Sequence, residues 1–444
     1  MRQERTVQGT IFEVFAQHEI GCELKVMSQW LDGQRELIGL VAGDLRRQRV
    51  RQTGRRGLPA ESVLRLAQAA APAELRGTGL SSRGFGLVSC LCPAAVGWTP
   101  KKSVLHHTIA AIRPETWEAI NRALLASAKQ DRLESGATVR FDSTVTQALM
   151  HEPSDSTLLW DAVRVMTRLL DRAEALPGAP AVRWRDRRRL AKKRARAVEY
   201  SRGQDKKRQL YRDLVAVTQA SRAELQAVAA GLAETAEPAV THWRAEVDHY
   251  LPLIARVISQ TQRRVFDGET VPAGEKLVSL FEPHADIIVK GGRQVQYGHK
   301  LNLATGKSGL VLDVVIEAGN PADAERFLPM LDRHIARTGA PPRQTAADGG
   351  YASRANLATA KHRGVADVAF HKKCGIAVAD MVKSPGVYRR LRNFRAGIEA
   401  VVSWLKRAYG GGRCTWRGLE HFKAYVWSAV VAHNLVLFAR LKRA

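Results

Sequence analysis

A gap between two strand patterns constrains this chain more than any other feature. A short strand-like run at residues 136–146 is followed by more than a hundred residues without a strand period. Alternation returns only at Gln294 to Leu303. The gap reads as helix. Leu158, Leu159, Val163, Val165, Leu169 and Leu170 recur at helical steps, and residues 181–236 contain no proline and two glycines. After the gap, Leu310 to Ile316 is a β-branched strand, and Asn320-Pro321 opens a helix to about Arg337 with proline in its first turn. Gln344 to Ala347 and Val365 to Phe370 are further strands, with a helix from Ser353 to His362 between them. Strands and helices in this order predict α/β layers around a mixed sheet, cut open after the first strand by an all-helical insertion.

Three acids stand out against that frame. Asp142 lies in Phe141-Asp142-Ser143-Thr144, within the first strand, and Asp348 ends the Gln344 strand at a glycine turn, Asp348-Gly349-Gly350-Tyr351. The third, Glu399, lies in Asn393 to Arg407, which reads as one amphipathic helix with Phe394, Ile398, Val401, Val402 and Leu405 on its apolar face. Arg395, Glu399 and Lys406 share another stripe of that helix, either as a solvated ladder of i,i+4 pairs or as part of a site. Two acids at strand ends plus one on a late helix can assemble a carboxylate metal site from distant sequence.

At these residues the chain resembles the DDE transposases of bacterial insertion sequences, and within them the ISNCY-like group. The resemblance runs from about Trp98 to the C-terminus. It is carried by Asp142-Ser143-Thr144, Tyr297-Gly298-His299-Lys300, Gly319-Asn320-Pro321-Ala322-Asp323, Asp348-Gly349-Gly350-Tyr351 and the spacing of Arg395, Glu399 and Lys406. Related families often place a tyrosine three residues before that arginine, where this chain has Arg392. The resemblance implies a ribonuclease-H-like catalytic domain. It also implies a catalytic and metal-binding triad of Asp142, Asp348 and Glu399 holding two Mg2+ ions, with Mn2+ able to substitute. By analogy Asp142 bridges both ions, Asp348 holds one and Glu399 the other. Arg395 and Lys406 are expected beside the scissile phosphate. The implied partners are double-stranded DNA, as terminal inverted repeats and target, and further copies of the chain in a dimeric or larger synaptic complex. A nuclease of the same fold, and a decayed copy that only binds DNA, are the alternatives.

Charge bears on the partner. Lys and Arg number 69 against 43 Asp and Glu, a net +26, which calls for a polyanion. Nucleic acid, an anionic membrane and an acidic protein all meet that description. Much of the excess lies in the insertion, at Arg187, Arg188, Arg189, Lys192 and Lys193. So many like charges on one helix repel each other unless an anion lies alongside, so these five are candidate DNA contacts. Lys300 is a further candidate, on the strand expected beside Asp142, with a plain strand-surface position as the alternative. The run Leu45 to Arg56 is either a solvated linker or a phosphate-contacting arm. Lys101 to Ala128 reads as two helices broken near Pro114, either a helix-turn-helix module or a plain helical hairpin. Thr305-Gly306-Lys307-Ser308-Gly309 lacks the earlier glycine of a phosphate loop, since position 301 is Leu, so no nucleotide site is expected there. Five cysteines show no zinc spacing and are expected as reduced thiols. No apolar run reads as a membrane span and Met1-Arg2-Gln3-Glu4-Arg5 is no signal peptide, so a cytoplasmic, nucleoid-associated protein is expected.

Four parts are expected: a helical, DNA-binding N-terminal region at 1–135; a catalytic domain at 136–154 and 276–410; a basic helical insertion at 155–275; and a helical C-terminal region at 411–444. Residues 67–97 break the pattern with Ala, Gly, Ser and Leu and no period. Back-translated and read one base further on, this window can encode amphipathic peptides that resemble the family's segment before Gly97-Trp98-Thr99-Pro100. The expectation is a pair of compensating insertions or deletions, or sequencing errors, near Ala67 and Gly97, leaving the window without a stable fold.

Overall fold

The computed structural model describes residues 19–47, 57–69, 102–178, 183–290, 294–371 and 374–444. The window at 67–97 lies outside these residues except at 67–69, which close a helix. Most of the basic run at 45–56 also lies outside them. Two compact units emerge, one of residues 1–149 and 298–444, the other of residues 150–297.

The first unit is built on β1 (Thr138–Gln147), β3 (Gln294–Thr305), β4 (Val311–Ile316), β5 (Gln344–Ala347) and β6 (Asp367–Phe370). β2 (Asp286–Lys290) neighbours β3, whose first residues belong to the second unit. β3 lies antiparallel to both β1 and β4, while β5 is parallel to β1 and β6. The order β4-β3-β1-β5-β6 makes a mixed sheet with β1 at its centre, as expected for α/β layers. Every residue of β1 from Val139 to Thr146 is buried.

Helices complete two apolar clusters. Val139, Phe141, Ala346 and Phe370 pack with α10 (Asp323–Thr338), α11 (Arg354–His362) and α13 (Pro385–Ala396). The α10 helix begins two residues after Pro321, with Ala322 as its N-cap, so the proline precedes the helix and does not open it. A second cluster joins Leu301, Leu303 and Val314 to α1 (Glu19–Asp32), α2 (Arg35–Arg46), α5 (Pro114–Gln130) and α15 (Leu419–Arg443). The N- and C-terminal regions therefore share one core with the sheet and do not stand apart. After α4 (Lys102–Ala110), α5 buries Trp117, Ile120 and Leu124 in that core. Its Asn121 accepts from Asn434 Nδ2 of α15 at 2.7 Å. The α15 helix is long and apolar enough to cross a bilayer, but 78% of its most apolar stretch is buried inside the protein. It is the core helix of this unit.

The second unit holds α6 (Asp155–Ala173), α7 (Arg188–Tyr200), α8 (Gln204–Gly231) and α9 (Pro238–Val265) around a core of Leu159, Met166, Leu214, Leu225 and Trp243. A capping box on Ser154 starts α6. The unit also takes in residues 276–297, which the sequence places in the catalytic domain.

Candidate active site

The sheet register sets two of the three acids side by side. Phe141 on β1 is paired with Ala347 on the parallel strand β5. The next residue on each chain is Asp142 and Asp348, so both carboxylates emerge at neighbouring positions. Asp142 is buried, and its Oδ1 accepts from the Ser143 amide at 2.8 Å. Asp348 leads into the turn Gly349–Tyr351, whose Tyr351 ring is fully buried against Phe327. The Tyr351 hydroxyl donates to Asn302 Oδ1 at 2.8 Å, and Asn302 Nδ2 donates to Glu317 Oε1 at 2.7 Å. This buried chain ties the Asp348 turn to β3. Burial first, and the carboxylates of Asp323, Asp142 and Asp348 after it, raise the Tyr351 phenol well above its ordinary pKa, so it serves as a donor.

The third acid arrives differently from the expectation. Residues 393–407 are not one helix: α13 ends at Ala396 and α14 (Ile398–Arg407) begins after Gly397. Gly397 keeps right-handed helical angles, so the axis is interrupted without a large turn and Arg395 and Glu399 still meet. Residue 397 has little room for a side chain. Arg140, two residues before Asp142 on β1, reaches under the junction. Its Nε donates to Thr305 Oγ1 at 2.7 Å, its Nη1 donates to the Phe394 carbonyl, and its guanidinium lies 4.6 Å from the centre of the Phe394 ring. A Cβ on residue 397 would stand 2.5 Å from Arg140 Nη1. Burial lowers the Arg140 pKa to about 10, which leaves it charged at neutral pH.

Arg395 joins the three acids. Its Nη2 lies 3.0 Å from Asp142 Oδ2 and 3.7 Å from Asp348 Oδ1, and its Nη1 lies 3.1 Å from Glu399 Oε1. The arginine is buried, so it belongs neither to a solvated surface ladder nor, in this state, to an open phosphate site. Exposure of the acid side chains rises from 12% at Asp142 through 41% at Asp348 to 70% at Glu399. The cluster thus has a closed floor and an open rim.

All three acids offer hard oxygen ligands, the donor type Mg2+ prefers. Among the described residues no group of three His, Cys, Asp or Glu stands close enough to hold a single ion. The guanidinium shows that this place already takes positive charge.

Other expected contacts resolve in different ways. Lys300 is buried, with its ammonium 2.7 Å from Asp323 Oδ1 and donating to the Pro321 carbonyl at 2.7 Å. It braces the start of α10 and is turned away from solvent, because cross-strand neighbours bury that stretch of β3. His299 is also buried, its Nδ1 3.0 Å from the Glu317 carbonyl oxygen. Lys406 is half-buried on α14. Arg392, where related families carry tyrosine, is exposed with its guanidinium 5.9 Å from the centre of the Tyr388 ring. Tyr388 does not replace the missing residue, since its hydroxyl donates inward to the Phe370 carbonyl at 2.8 Å. In the second unit Arg187 pairs with Glu224 at 2.5 Å and Arg188 with Asp186 at 2.9 Å, while Arg189, Lys192 and Lys193 are exposed. In the turn at 305–309, the Glu134 carboxylate accepts from the Ser308 amide at 2.8 Å and from its hydroxyl at 2.6 Å. The chain's own carboxylate occupies that turn.

Residues 258–435 match the family model of the transposase DDE domain. The match supports a DDE transposase. It spans Asp348, Arg395, Glu399 and Lys406, whereas Asp142 lies before it, on the far side of the insertion in sequence. No curated protein and no solved structure matches the chain. Arg140 and Gly397 were not singled out in the sequence. The strand period offered a signal for Arg140, because residues two apart on a strand share a face and Arg140 stands two before Asp142.

Proposed function

We propose that the chain is a DNA transposase with a ribonuclease-H-like catalytic domain, of the ISNCY-like group, that cuts at the terminal inverted repeats of its element and joins the freed 3′-hydroxyl to target DNA. The observation that carries this reading is the convergence of Asp142, Asp348 and Glu399 on one cationic centre, Arg395. In it, Asp142, Asp348 and Glu399 hold two Mg2+ ions, or Mn2+ in their place, which supply activation of the attacking oxygen and neutralise the leaving one. The chain's own residues do the rest. Asp142, fixed by the Ser143 amide, is the rigid member of the set, and Glu399 at the exposed rim is the adjustable one. Arg395 balances the negative charge while the site is empty of substrate and turns to a phosphate oxygen beside the scissile bond when DNA arrives. Lys406, one helical stripe along from Glu399, takes a neighbouring phosphate. Arg189, Lys192 and Lys193 add phosphate contacts from the second unit. The active form is a homodimer or larger synaptic complex on double-stranded DNA, in the cytoplasm at the nucleoid, and no membrane takes part.

The test is strand transfer with precut element ends in Mg2+. Joined product from the unaltered chain, lost in Asp348→Ala, supports the transposase. Hydrolysis without joining would point to a nuclease of the same fold. Duplex binding without either reaction would point to a DNA-binding copy.

A further inference from the structure

The second unit carries a surface that the acidic site does not use. Between Val198 near the end of α7 and Leu214 in α8, no side chain is buried. Residues 202–209, the connection and the first turns of α8, are all exposed. A helix exposed all round projects beyond its core, so the α7–α8 connection forms a prong. Residues 192–212 hold nine Lys and Arg against two acids.

Several arginines nearer the core of the unit have carboxylate partners: Arg172 with Glu246 at 2.7 Å, Arg187 with Glu224 at 2.5 Å, Arg263 with Glu275 at 2.9 Å and Arg264 with Asp155 at 2.8 Å. Among the described residues, no carboxylate pairs with Arg202, Lys206, Lys207 or Arg208. At the base of the connection Tyr200 is 79% exposed, far more than a ring of that size needs on a solvated helix. Leaving four adjacent cations unpaired costs repulsion that a bound polyanion removes.

We propose that this prong docks on duplex DNA, with Arg202, Lys206, Lys207 and Arg208 on backbone phosphates and Tyr200 resting against a sugar or base edge. The proposal rests on the transposase reading only for the identity of the polyanion. Shape favours DNA. An α-helix with its side chains is about 10–12 Å across and a major groove about 12 Å wide. A membrane is disfavoured by composition, because a helix that lies on lipid needs an apolar face and residues 202–209 contain no apolar side chain larger than glycine.

The experiment uses the full chain with all four cations neutralised (R202Q, K206Q, K207Q, R208Q), titrated with a fluorescent random-sequence duplex over a range of salt concentrations. Every substituted side chain is exposed, and circular dichroism checks that helix content is retained. Loss of four phosphate contacts should flatten the slope of log affinity against log salt by about three to four and weaken binding at moderate salt roughly a hundredfold. A duplex carrying 5-iodouracil should photocrosslink to Tyr200 in the unaltered chain and in Tyr200→Phe, and not in Tyr200→Ala. An unchanged salt slope overturns the proposal. So does a loss of binding confined to phosphatidylserine vesicles, which would make the partner a membrane. If the unaltered chain binds no duplex, the transposase reading fails as well; if it binds and the variant binds equally, only the prong fails.

Discussion

Arg395 Nη2 stands 3.0 Å from Asp142 Oδ2, and the two side chains form the buried floor of the acidic cluster. The pair compensates a carboxylate that is largely withdrawn from water. Removing one partner of a buried ion pair typically costs about 3–5 kcal/mol, because the other charge is left uncompensated. Arg395→Ala should therefore lower unfolding stability by about 3 kcal/mol in metal-free buffer. Mg2+ should restore part of the loss, since a ligand that binds only the folded state stabilises it. Thermal melts with and without Mg2+ check this. A melting temperature in Arg395→Ala that Mg2+ raises no more than in the unaltered chain would deny that metal and guanidinium share a place.

The three acids should separate by burial when each is replaced. Asp348→Ala and Glu399→Ala remove exposed carboxylates and should leave stability within about 1 kcal/mol, as surface changes usually do. Asp142→Ala orphans buried Arg395 and should destabilise by several times as much. All three should abolish strand transfer, each by at least about a thousandfold. Paired measurements of melting and product formation test both halves. Near-normal transfer by Asp348→Ala would remove that residue from the site.

Some of this was legible in the sequence for reasons that can be named. Asp348 could be found because it follows the end of a short strand at a glycine turn; Asp142 lies mid-strand in β1, not at a strand end as expected, and the parallel pairing of β1 with β5 sets the two side by side. The insertion was legible because helical period and charge persist over a long stretch. Gly397 was not, because the apolar period runs through it unchanged and only the distant Arg140 leaves no room there for a side chain. Nor was the fate of Lys300: a lysine on an alternating strand looks exposed, and its burial depends on Asp323 and on layers that come from elsewhere in the chain. The sharing of one core by the described helices before residue 136 and the helix at Leu419–Arg443 was hidden for the same reason. Contacts such as Trp30 Nε1 to Ser127 Oγ at 2.9 Å join segments far apart in sequence.

The junction between α13 and α14 should behave as a coupled pair. Gly397→Ala places a methyl 2.5 Å from Arg140 Nη1, so the arginine must leave the Phe394 carbonyl or the helices must shift. Overpacking of this kind costs about 1–3 kcal/mol. Glu399 lies two residues on, so strand transfer should fall more than stability alone explains. Arg140→Ala should lose activity too, and the double variant should be less impaired than the two single losses predict. A double-mutant cycle in melting temperature and transfer rate gives the coupling. Strict additivity would mean that the close approach does not set the position of Glu399.

The last prediction concerns pH. His433 on α15 is buried, with Nε2 3.4 Å from the Gly309 carbonyl oxygen and its ring 5.6 Å from that of Tyr409. Burial lowers its pKa from 6.5 to about 4, with the Gly309 contact opposing and Arg440 adding to the fall. Between those values the unfolded chain binds a proton that the folded chain refuses, so stability rises with pH across the window. Above pH 6.5 both states are neutral there and the effect is fully present as native stability; below it, stability is lost until the folded-state value near 4 is reached. The full difference is on the order of 3 kcal/mol, at 1.36 kcal/mol per pKa unit. His433→Gln cannot titrate in this range. Its unfolding free energy, measured by urea denaturation, should therefore decline less than that of the unaltered chain as pH falls from 6.5 toward 4. Parallel declines would show that His433 takes up its proton in the folded state as readily as in the unfolded one.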